Sequence, residues 1–317
     1  MRIFLSEKSA AELRPEIETI FAGRPFEIVK GGDFEAAFVS REVTGKSTKF
    51  ELEPQTQAFH DALRQAKSLK WVQIHSAGAD RPIYPELQSR GVVITTSSGA
   101  SASIVAQSAL AGILALGRKL PQLMEQQRAK QWKSLITNLP PDLAGQTAVI
   151  LGWGPIGQSL AAWLSAIGLK IIVVRNTANK AGNHPTFTYD QILEAAPKAD
   201  WLVIACPLSE KTEKLINKQV LTSLPPGAHV INVGRGEIIE EEALIQRLKE
   251  RQIAGAYLDV FNKEPLGPDS PLWDIPNVIV TPHSAGHSAG NEGRVAKIFL
   301  ENLAHQVEGR PLRNKAE

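Results

Sequence analysis

Residues 147–157 read TAVILGWGPIG, an apolar run that leads directly into three closely spaced glycines. The run predicts a buried strand, and residues 155–167 predict the helix that follows it. Between them, Gly152 would allow a tight turn, Gly154 a close approach of the backbone to a pyrophosphate, and Gly157 close packing of helix against strand. Glycines alone would fit a plain turn, but the flanking strand and helix favour a βαβ unit that binds a dinucleotide.

The end of the next predicted strand, residues 171–174, bears on the choice between the two nicotinamide dinucleotides. About 20 residues after the glycine loop, an NAD enzyme usually presents an Asp or Glu to the ribose hydroxyls. Here the strand leads into Arg175, Asn176 and Thr177. A guanidinium can pair bidentately with a 2′-phosphate, which a carboxylate would repel. The sequence therefore predicts NADP(H) ahead of NAD, unless Arg175 is only a solvated charge at the strand end.

Apolar strands alternate with helical segments along the whole chain. The early strands predict one parallel sheet, and those from residue 147 onward predict a longer, doubly wound parallel sheet. A chain of 317 residues also exceeds the roughly 100–200 residues of one domain, so two domains are expected. The final predicted helix, residues 291–309, is expected to pack back onto the first domain. The predicted strands are Arg2–Leu5, Phe26–Val29, Ala36–Val39, Trp71–His75, Val92–Thr95, Thr147–Leu151, Ile171–Val174, Trp201–Ala205, Val230–Val233, Ala254–Leu258 and Val278–Val280.

The composition excludes several classes of protein. Apolar residues make up 43%, charged residues 21%, and the formal net charge is only +2, which lacks the basic excess of a nucleic-acid binder. Cys206 is the one cysteine, so no intramolecular disulfide can form. The most apolar stretch, Ile104 to Leu116, is shorter than the roughly 20 residues of a membrane span. We expect this stretch to be a buried helix, and the protein to be cytoplasmic, without nucleic-acid or membrane partners.

Three charged or titratable residues follow three successive predicted strands. Arg235 lies in a Gly-Arg-Gly turn, Glu264 precedes a proline, and His283 directly follows the last strand. Because ligands of open parallel sheets bind at the carboxyl ends of the strands, these residues are expected to converge. Reduction of a 2-keto acid needs a proton donor, a cation for the carboxylate and a group that orients the donor, which these residue types supply. His75 and His287 remain weaker alternatives for the donor.

Four segments of the second half together resemble the D-isomer-specific 2-hydroxyacid dehydrogenase family. They are Gly152–Gly157, Asn232–Gly236, Asp259–Pro265 and Thr281–Gly286. In the first half, residues 75–80 are similar to the family's substrate-carboxylate loop. The resemblance implies a two-domain α/β fold, in which a Rossmann-type doubly wound parallel sheet (residues 98–287) is inserted in a smaller flavodoxin-like α/β substrate domain (residues 1–97 and 288–317). It also implies an active site in the cleft between the domains.

The resemblance further implies a role for each matching residue. Arg235 would hold the carboxylate and carbonyl of the substrate, His283 would act as acid and base, and Glu264 would support it. The backbone amides of Ala77 and Gly78 would bind the substrate's acid group. No metal ion is expected at this site. The residues expected at the cofactor are Val105, Gly152, Gly154, Pro155, Ile156, Gly157, Arg175, Asn176, Thr177, Cys206, Pro207, Val233, Gly234, Arg235, Asp259, His283 and Ala285.

The strand end at Arg175 is more similar to glyoxylate and hydroxypyruvate reductases that prefer NADPH than to phosphoglycerate or D-lactate dehydrogenases. We therefore expect NADPH-dependent reduction of glyoxylate or hydroxypyruvate, to the D-2-hydroxy acid where the product is chiral, with NAD as a second cofactor. Trp132 lies in a segment that in these reductases reaches across a dimer, so a homodimer is expected. Gln107 and Ser108 depart from the family pattern, which more often has Glu and His there, and this leaves the surroundings of that helix open.

Two other functions remain open. One is an NAD-linked dehydrogenase of a larger D-2-hydroxy acid, which the substrate loops in residues 41–54 would select. The other is a non-catalytic nucleotide sensor, because relatives such as the C-terminal-binding-protein corepressors use this fold to couple cofactor binding to protein association. The sensor is disfavoured because the triad of Arg235, Glu264 and His283 is complete.

Overall fold

The computed structural model describes residues 1–48 and 51–316 as an α/β protein. The strands are β1 Arg2–Phe4, β2 Glu27–Val29, β3 Ala36–Val39, β4 Trp71–Ile74, β5 Val93–Thr95, β6 Thr147–Leu151, β7 Lys170–Arg175, β8 Thr186–Thr188, β9 Trp201–Ile204, β10 His229–Asn232, β11 Gly255–Leu258 and β12 Val278–Val280. The helices are α1 Glu7–Phe21, α2 Arg41–Thr44, α3 Pro54–Gln65, α4 Ile83–Ser89, α5 Ala102–Gly117, α6 Leu120–Arg128, α7 Pro155–Ala166, α8 Ile192–Ala195, α9 Lys218–Ser223, α10 Glu241–Lys249 and α11 Asn291–Glu308.

The chain divides into two compact units, which we call the first unit (residues 1–101 and 288–317) and the second unit (residues 102–287). The first unit contains a five-stranded sheet in the order β2-β1-β3-β4-β5, with every neighbouring pair parallel. This is the strand order of flavodoxin-like sheets. Phe299 of α11 stacks on Phe38 of β3 with ring centroids 4.6 Å apart, so the last helix covers this sheet.

The second unit contains a seven-stranded, all-parallel sheet in the order β12-β11-β10-β9-β6-β7-β8. The chain starts in the middle of this sheet at β6, builds outward to β8, and then returns to β9 on the other side of β6. That reversal is the topological switch point, beside which doubly wound sheets bind their ligands. The two sheets confirm the predicted fold class, a Rossmann-type doubly wound sheet together with a flavodoxin-like one.

Local signals explain where several of these helices begin and end. The Ser6 hydroxyl accepts a hydrogen bond from the amide of Ser9 at 3.1 Å, which caps the start of α1. Pro155 and Ile156 form the first turn of α7, where proline's fixed φ suits a helix and its missing amide proton costs nothing. Gly309, at φ +70°, ends α11. The short strand β8 was not predicted from the sequence.

Helix α5 lies where the sequence predicts a buried helix, over residues 104–116. Its residues Ala106, Ala109 and Ile113 have no exposed surface, so its apolar character serves the interior of the second unit. Within the described residues, no helix combines the length and the apolar run that crossing a bilayer would require. Of the expected substrate loops in residues 41–54, residues 49 and 50 lie outside the described part of the chain.

Candidate active site

The glycine loop joins β6 to α7, and the geometry at each of its three positions explains why glycine stands there. Gly152 has φ +101°, and a Cβ there would lie 2.8 Å from the backbone of Ala205. A Cβ on Gly157 would lie 2.2 Å from the carbonyl oxygen of Gly152, so helix and loop pack directly together. At Gly154 a Cβ would meet nothing within 4 Å. The loop therefore leaves open space at the N-terminus of a 12-residue helix, which fits the pyrophosphate of a dinucleotide.

Two cationic side chains lie near the end of β7: Arg175 of the strand itself, and Lys211 from a different loop. Arg175 is the half-buried last residue of β7, and Asn176 and Thr177 beyond it are exposed. Lys211, in the segment that follows β9, donates from Nζ to Oδ1 of Asn176 at 3.1 Å. Residues 174–180 contain no Asp or Glu. This edge of the sheet therefore presents an arginine and a lysine, and the lysine was missed by the sequence interpretation because it lies 35 residues beyond Asn176.

The backbone that follows β9 lies close to the glycines of two neighbouring turns. A Cβ on Gly234 would lie 2.8 Å from the carbonyl oxygen of Cys206, just as one on Gly152 would meet Ala205. Cys206 itself is 2% exposed, and burial raises the pKa of its thiol to about 11. Its sulfur is hydrogen-bonded to the hydroxyl of Tyr189. Cys206, which was expected at the cofactor, is thus a buried packing group, while Pro207 next to it is exposed.

His283 and Glu264 form a hydrogen-bonded pair. Nδ1 of His283 lies 2.7 Å from Oε2 of Glu264, and the amide of Phe261 donates to Oε1 at 3.1 Å. Burial alone would raise the pKa of Glu264, but the hydrogen bond and charge of His283, with the Phe261 amide and Arg235, hold that pKa below its ordinary value. Because a charged carboxylate only accepts, Nδ1 carries the donated proton and Nε2 is left to face a ligand. The His283 side chain is 50% exposed.

The backbone of His283 is held in an unusual conformation. Its φ is +49°, in the left-handed region that costs a non-glycine residue on the order of 1–3 kcal/mol. The amide of His283 donates to the carbonyl oxygen of Asp259 at 2.8 Å. The Asp259 carboxylate, itself 2% exposed, accepts from the amides of Ser284 and Ala285 at 2.9 and 3.0 Å. The apolar cluster beside this loop includes Val105, Val233 and Ala285. Asp259 thus anchors the loop that carries His283.

Arg235 stands between two glycines that could not carry side chains. A Cβ on Gly236 would lie 1.9 Å from the backbone of Phe261, and one on Gly234 would lie 2.8 Å from the carbonyl oxygen of Cys206. Nη1 of Arg235 donates to the carbonyl oxygen of Gly234 at 2.8 Å, and its charge acts on Glu264. All three residues of the predicted triad therefore belong to one neighbourhood of the second unit. Among the described residues, no three His, Cys, Asp or Glu side chains come together as a metal ion would need.

The predicted substrate-carboxylate loop follows β4 in the first unit. The hydroxyl of Ser76 donates to the carbonyl oxygen of Gly78 at 2.7 Å. In the part of the chain that the structure describes, neither the amide of Ala77 nor that of Gly78 donates a hydrogen bond. Nε2 of His75 lies 2.7 Å from Oγ1 of Thr44, and burial lowers the pKa of His75 to about 4. His75 is therefore a neutral, structural imidazole and not a proton donor at neutral pH.

The chain is similar to known proteins over most of its length. Residues 110–285 match the family model described as the NAD binding domain of D-isomer specific 2-hydroxyacid dehydrogenases. A glyoxylate reductase of Thermofilum pendens is 32% identical over 78% of this chain and 75% of its own length. A glyoxylate/hydroxypyruvate reductase B of Pectobacterium carotovorum is 29% identical over 97% of this chain and 95% of its own. The solved structure of an NADPH-dependent glyoxylate/hydroxypyruvate reductase of Sinorhizobium meliloti, in complex with NADP and malonate, has a TM-score of 0.74 at 27% identity and covers 99% of this chain and 96% of its own.

Proposed function

The chain belongs to the D-isomer-specific 2-hydroxyacid dehydrogenase family, and we propose that it reduces glyoxylate or hydroxypyruvate with NADPH, giving the D-isomer where the product is chiral. The proposal depends above all on the His283–Glu264 pair at the ends of the strands of an NAD-binding domain. The relatives at about 30% identity that are named glyoxylate and hydroxypyruvate reductases support the choice of a small 2-keto acid.

Each side chain of the triad has a separate role in the proposed reaction. The bound nicotinamide supplies the hydride for the carbonyl carbon. Glu264 holds the ring of His283 through Nδ1, so that Nε2 donates a proton to the carbonyl oxygen as the hydroxyl forms. Arg235 pairs with the carboxylate of the acid and polarises its carbonyl. In the reverse direction, Nε2 of His283 takes the hydroxyl proton back.

The preference for NADPH depends on the end of β7. A 2′-phosphate carries about two negative charges near neutral pH and needs donors that are already positive. Arg175 and Lys211 supply two such donors at the position where an NAD enzyme usually has a carboxylate. The Sinorhizobium meliloti structure, which was solved with NADP, supports the same choice.

A panel of 2-keto acids, each assayed with NADPH and with NADH, tests the proposed function. Glyoxylate, hydroxypyruvate, pyruvate and phenylpyruvate cover the range from small to large, and the absorbance of the reduced nicotinamide reports turnover. We expect the highest kcat/KM for the two smallest polar acids with NADPH. A preference for phenylpyruvate with NADH would favour an NAD-linked dehydrogenase of larger acids. Oxidation of neither cofactor by any acid would favour a nucleotide sensor.

Reversing the charge at the end of β7 should reverse the cofactor preference. Charged hydrogen bonds are each worth about 1.5–3 kcal/mol, so Arg175→Asp should lower kcat/KM for NADPH by about 100-fold and leave that for NADH within about threefold. Lys211→Glu should lower the NADPH value by about tenfold, because its contact is monodentate. Lys249→Glu, on the exposed surface of α10, is the matched control and should change neither value. An unchanged cofactor preference in both test variants would contradict the proposal that Arg175 and Lys211 bind the 2′-phosphate.

We also propose that the protein is a homodimer and that residues 120–139 form part of the interface. This segment exposes a run of large apolar side chains, which a soluble surface rarely presents together. They are Leu120 at 44%, Met124 at 50%, Trp132 at 102%, Ile136 at 77% and Leu139 at 72% exposure. The likeness to reductases whose corresponding segment crosses a dimer favours a second copy of this chain as the occupant.

Charged residues in this segment should separate the two copies. Trp132→Asp combined with Ile136→Asp should halve the molar mass measured by light scattering after gel filtration, because a charge desolvated in an apolar interface is costly. Trp273→Asp replaces a half-exposed tryptophan outside the segment and should leave the mass unchanged. A monomeric mass for the unchanged protein would disprove the homodimer.

A further inference from the structure

Three hydroxyl groups form a chain from helix α5 to the loop that carries His283. The hydroxyl of Tyr257, in β11, lies 3.1 Å from Oγ1 of Thr281, and Oγ1 of Thr281 lies 2.6 Å from Oδ1 of Asp259. Ser108 of α5 is hydrogen-bonded to the Tyr257 hydroxyl, and its Oγ donates to the carbonyl oxygen of Ala285 at 3.0 Å. The three hydroxyls therefore connect to Asp259, which binds the amides of the His283 loop, and to Ala285, which belongs to that loop.

The ring of Tyr257 reaches this position because α5 has a glycine opposite it. A Cβ on Gly112 would lie 2.5 Å from Cγ of Tyr257 and 2.8 Å from its Cβ. A side chain at residue 112 would push the ring away and remove the hydroxyl from Thr281. Tyr257 is 6% exposed, so its hydroxyl must find its partners inside the protein. Gly112 and Tyr257 are thus complementary, and the glycine lets the hydroxyl reach Thr281 and Ser108.

The Thr281 hydroxyl lies between the hydroxyl of Tyr257 and the carboxylate of Asp259. That carboxylate accepts from the Thr281 hydroxyl and from the amides of Ser284 and Ala285. Oγ1 of Thr281 has donor geometry toward both Asp259 and Tyr257, and the shorter bond, to the charged carboxylate, is the stronger of the two. Burial raises the pKa of Tyr257, so its hydroxyl stays protonated beside Thr281. Tyr257 is therefore a direct neighbour of the hydroxyl that Asp259 binds.

We propose that Tyr257, with Ser108 behind it, is a positioning residue for His283. Its hydroxyl orients Thr281 toward Asp259, and Asp259 in turn holds the amides of Ser284 and Ala285 that follow His283. The left-handed backbone of His283 persists only while its neighbours fix it. The catalytic part of this inference rests on the proposed function, but the effect on the loop itself does not.

Tyr257→Phe tests the proposal, because it keeps the ring against Gly112 and removes only the hydroxyl. We expect kcat to fall about tenfold, as a small displacement of a proton donor does, with KM for NADPH and the melting temperature nearly unchanged. Thr281→Val should lower kcat by at least as much. The double variant Tyr257→Phe/Thr281→Val should be no slower than Thr281→Val alone, because both changes remove the same hydrogen-bonded connection to Asp259. Tyr84→Phe removes another buried tyrosine hydroxyl, in the first unit, and should leave kcat unchanged.

Hydrogen exchange gives a readout that does not depend on turnover. In Tyr257→Phe, the amides of Ser284 and Ala285 should exchange at least about tenfold faster than in the unchanged protein, while amides of β6 keep their protection. Faster exchange in a protein that reduces no keto acid would support the positioning role and contradict only the proposed function. The proposal would be overturned if the exchange rates of both amides were unchanged. It would also be overturned if the fold-losses of kcat in the two single variants multiplied fully in the double variant.

Discussion

Replacing His283 with alanine should lower kcat for glyoxylate by about 10³- to 10⁴-fold, because a positioned general acid contributes up to about that factor. NADPH should still bind with nearly its original affinity, since the glycine loop and the end of β7 are untouched. The rate of NADPH oxidation measures the first quantity, and quenching of protein fluorescence on titration with NADPH measures the second.

His287→Ala is the matched control for this experiment. His287 lies four residues further along the same loop, and the sequence leaves it as an alternative donor. If His283 is the donor, His287→Ala should keep kcat within about threefold, well below the loss expected for a general acid. Near-normal turnover in His283→Ala would reject the assignment of His283 as the proton donor. A large loss of turnover in the single variant His287→Ala would reject it as well.

Replacing Arg235 with lysine should lower kcat/KM for the keto acid by about 10²- to 10³-fold, even though the charge is retained. A lysine offers a point charge on a flexible stem, whereas the guanidinium presents a planar fork that matches a carboxylate and an adjacent carbonyl. Loss of one such donor in an active site typically costs this much. Steady-state kinetics with glyoxylate measure the change, and KM for NADPH should stay nearly constant.

Arg247→Lys makes the same chemical change away from the triad. Arg247 lies in α10 and donates to the hydroxyl of Thr222 at 3.1 Å, so its replacement should leave the kinetics unaltered. A kcat/KM for glyoxylate that falls less than tenfold in Arg235→Lys would show that the substrate carboxylate is bound by other groups.

The fold was readable from the sequence because both sheets are parallel and buried. A strand covered on both faces is continuously apolar, and β3 and β6 were predicted with the bounds that the structure gives. Strand β8 was missed because its three residues are Thr-Phe-Thr, so no apolar run marks it. Its register against β7 is set by tertiary pairing and not by its own residues.

The site was predictable to the extent that topology determines it. Residues that follow neighbouring parallel strands meet at one edge, which is why Arg235, Glu264 and His283 were identifiable as a group. Lys211 and Tyr257 were not, because each acts through a contact with a distant segment. Tyr257 looks like one more apolar strand residue until the structure places it against Gly112 of α5. The roles proposed for Lys211 and Tyr257 depend on where these side chains point and what they contact, which their spacing in the sequence does not show.

The close packing around the end of β9 also shields the protein from its redox surroundings. With the thiol pKa of Cys206 at about 11, only about one molecule in 10⁴ carries a thiolate at pH 7, and the sulfur is inaccessible as well. Because the chain contains no other cysteine, thiol-exchange partners have no reactive thiol to attack while the second unit stays folded.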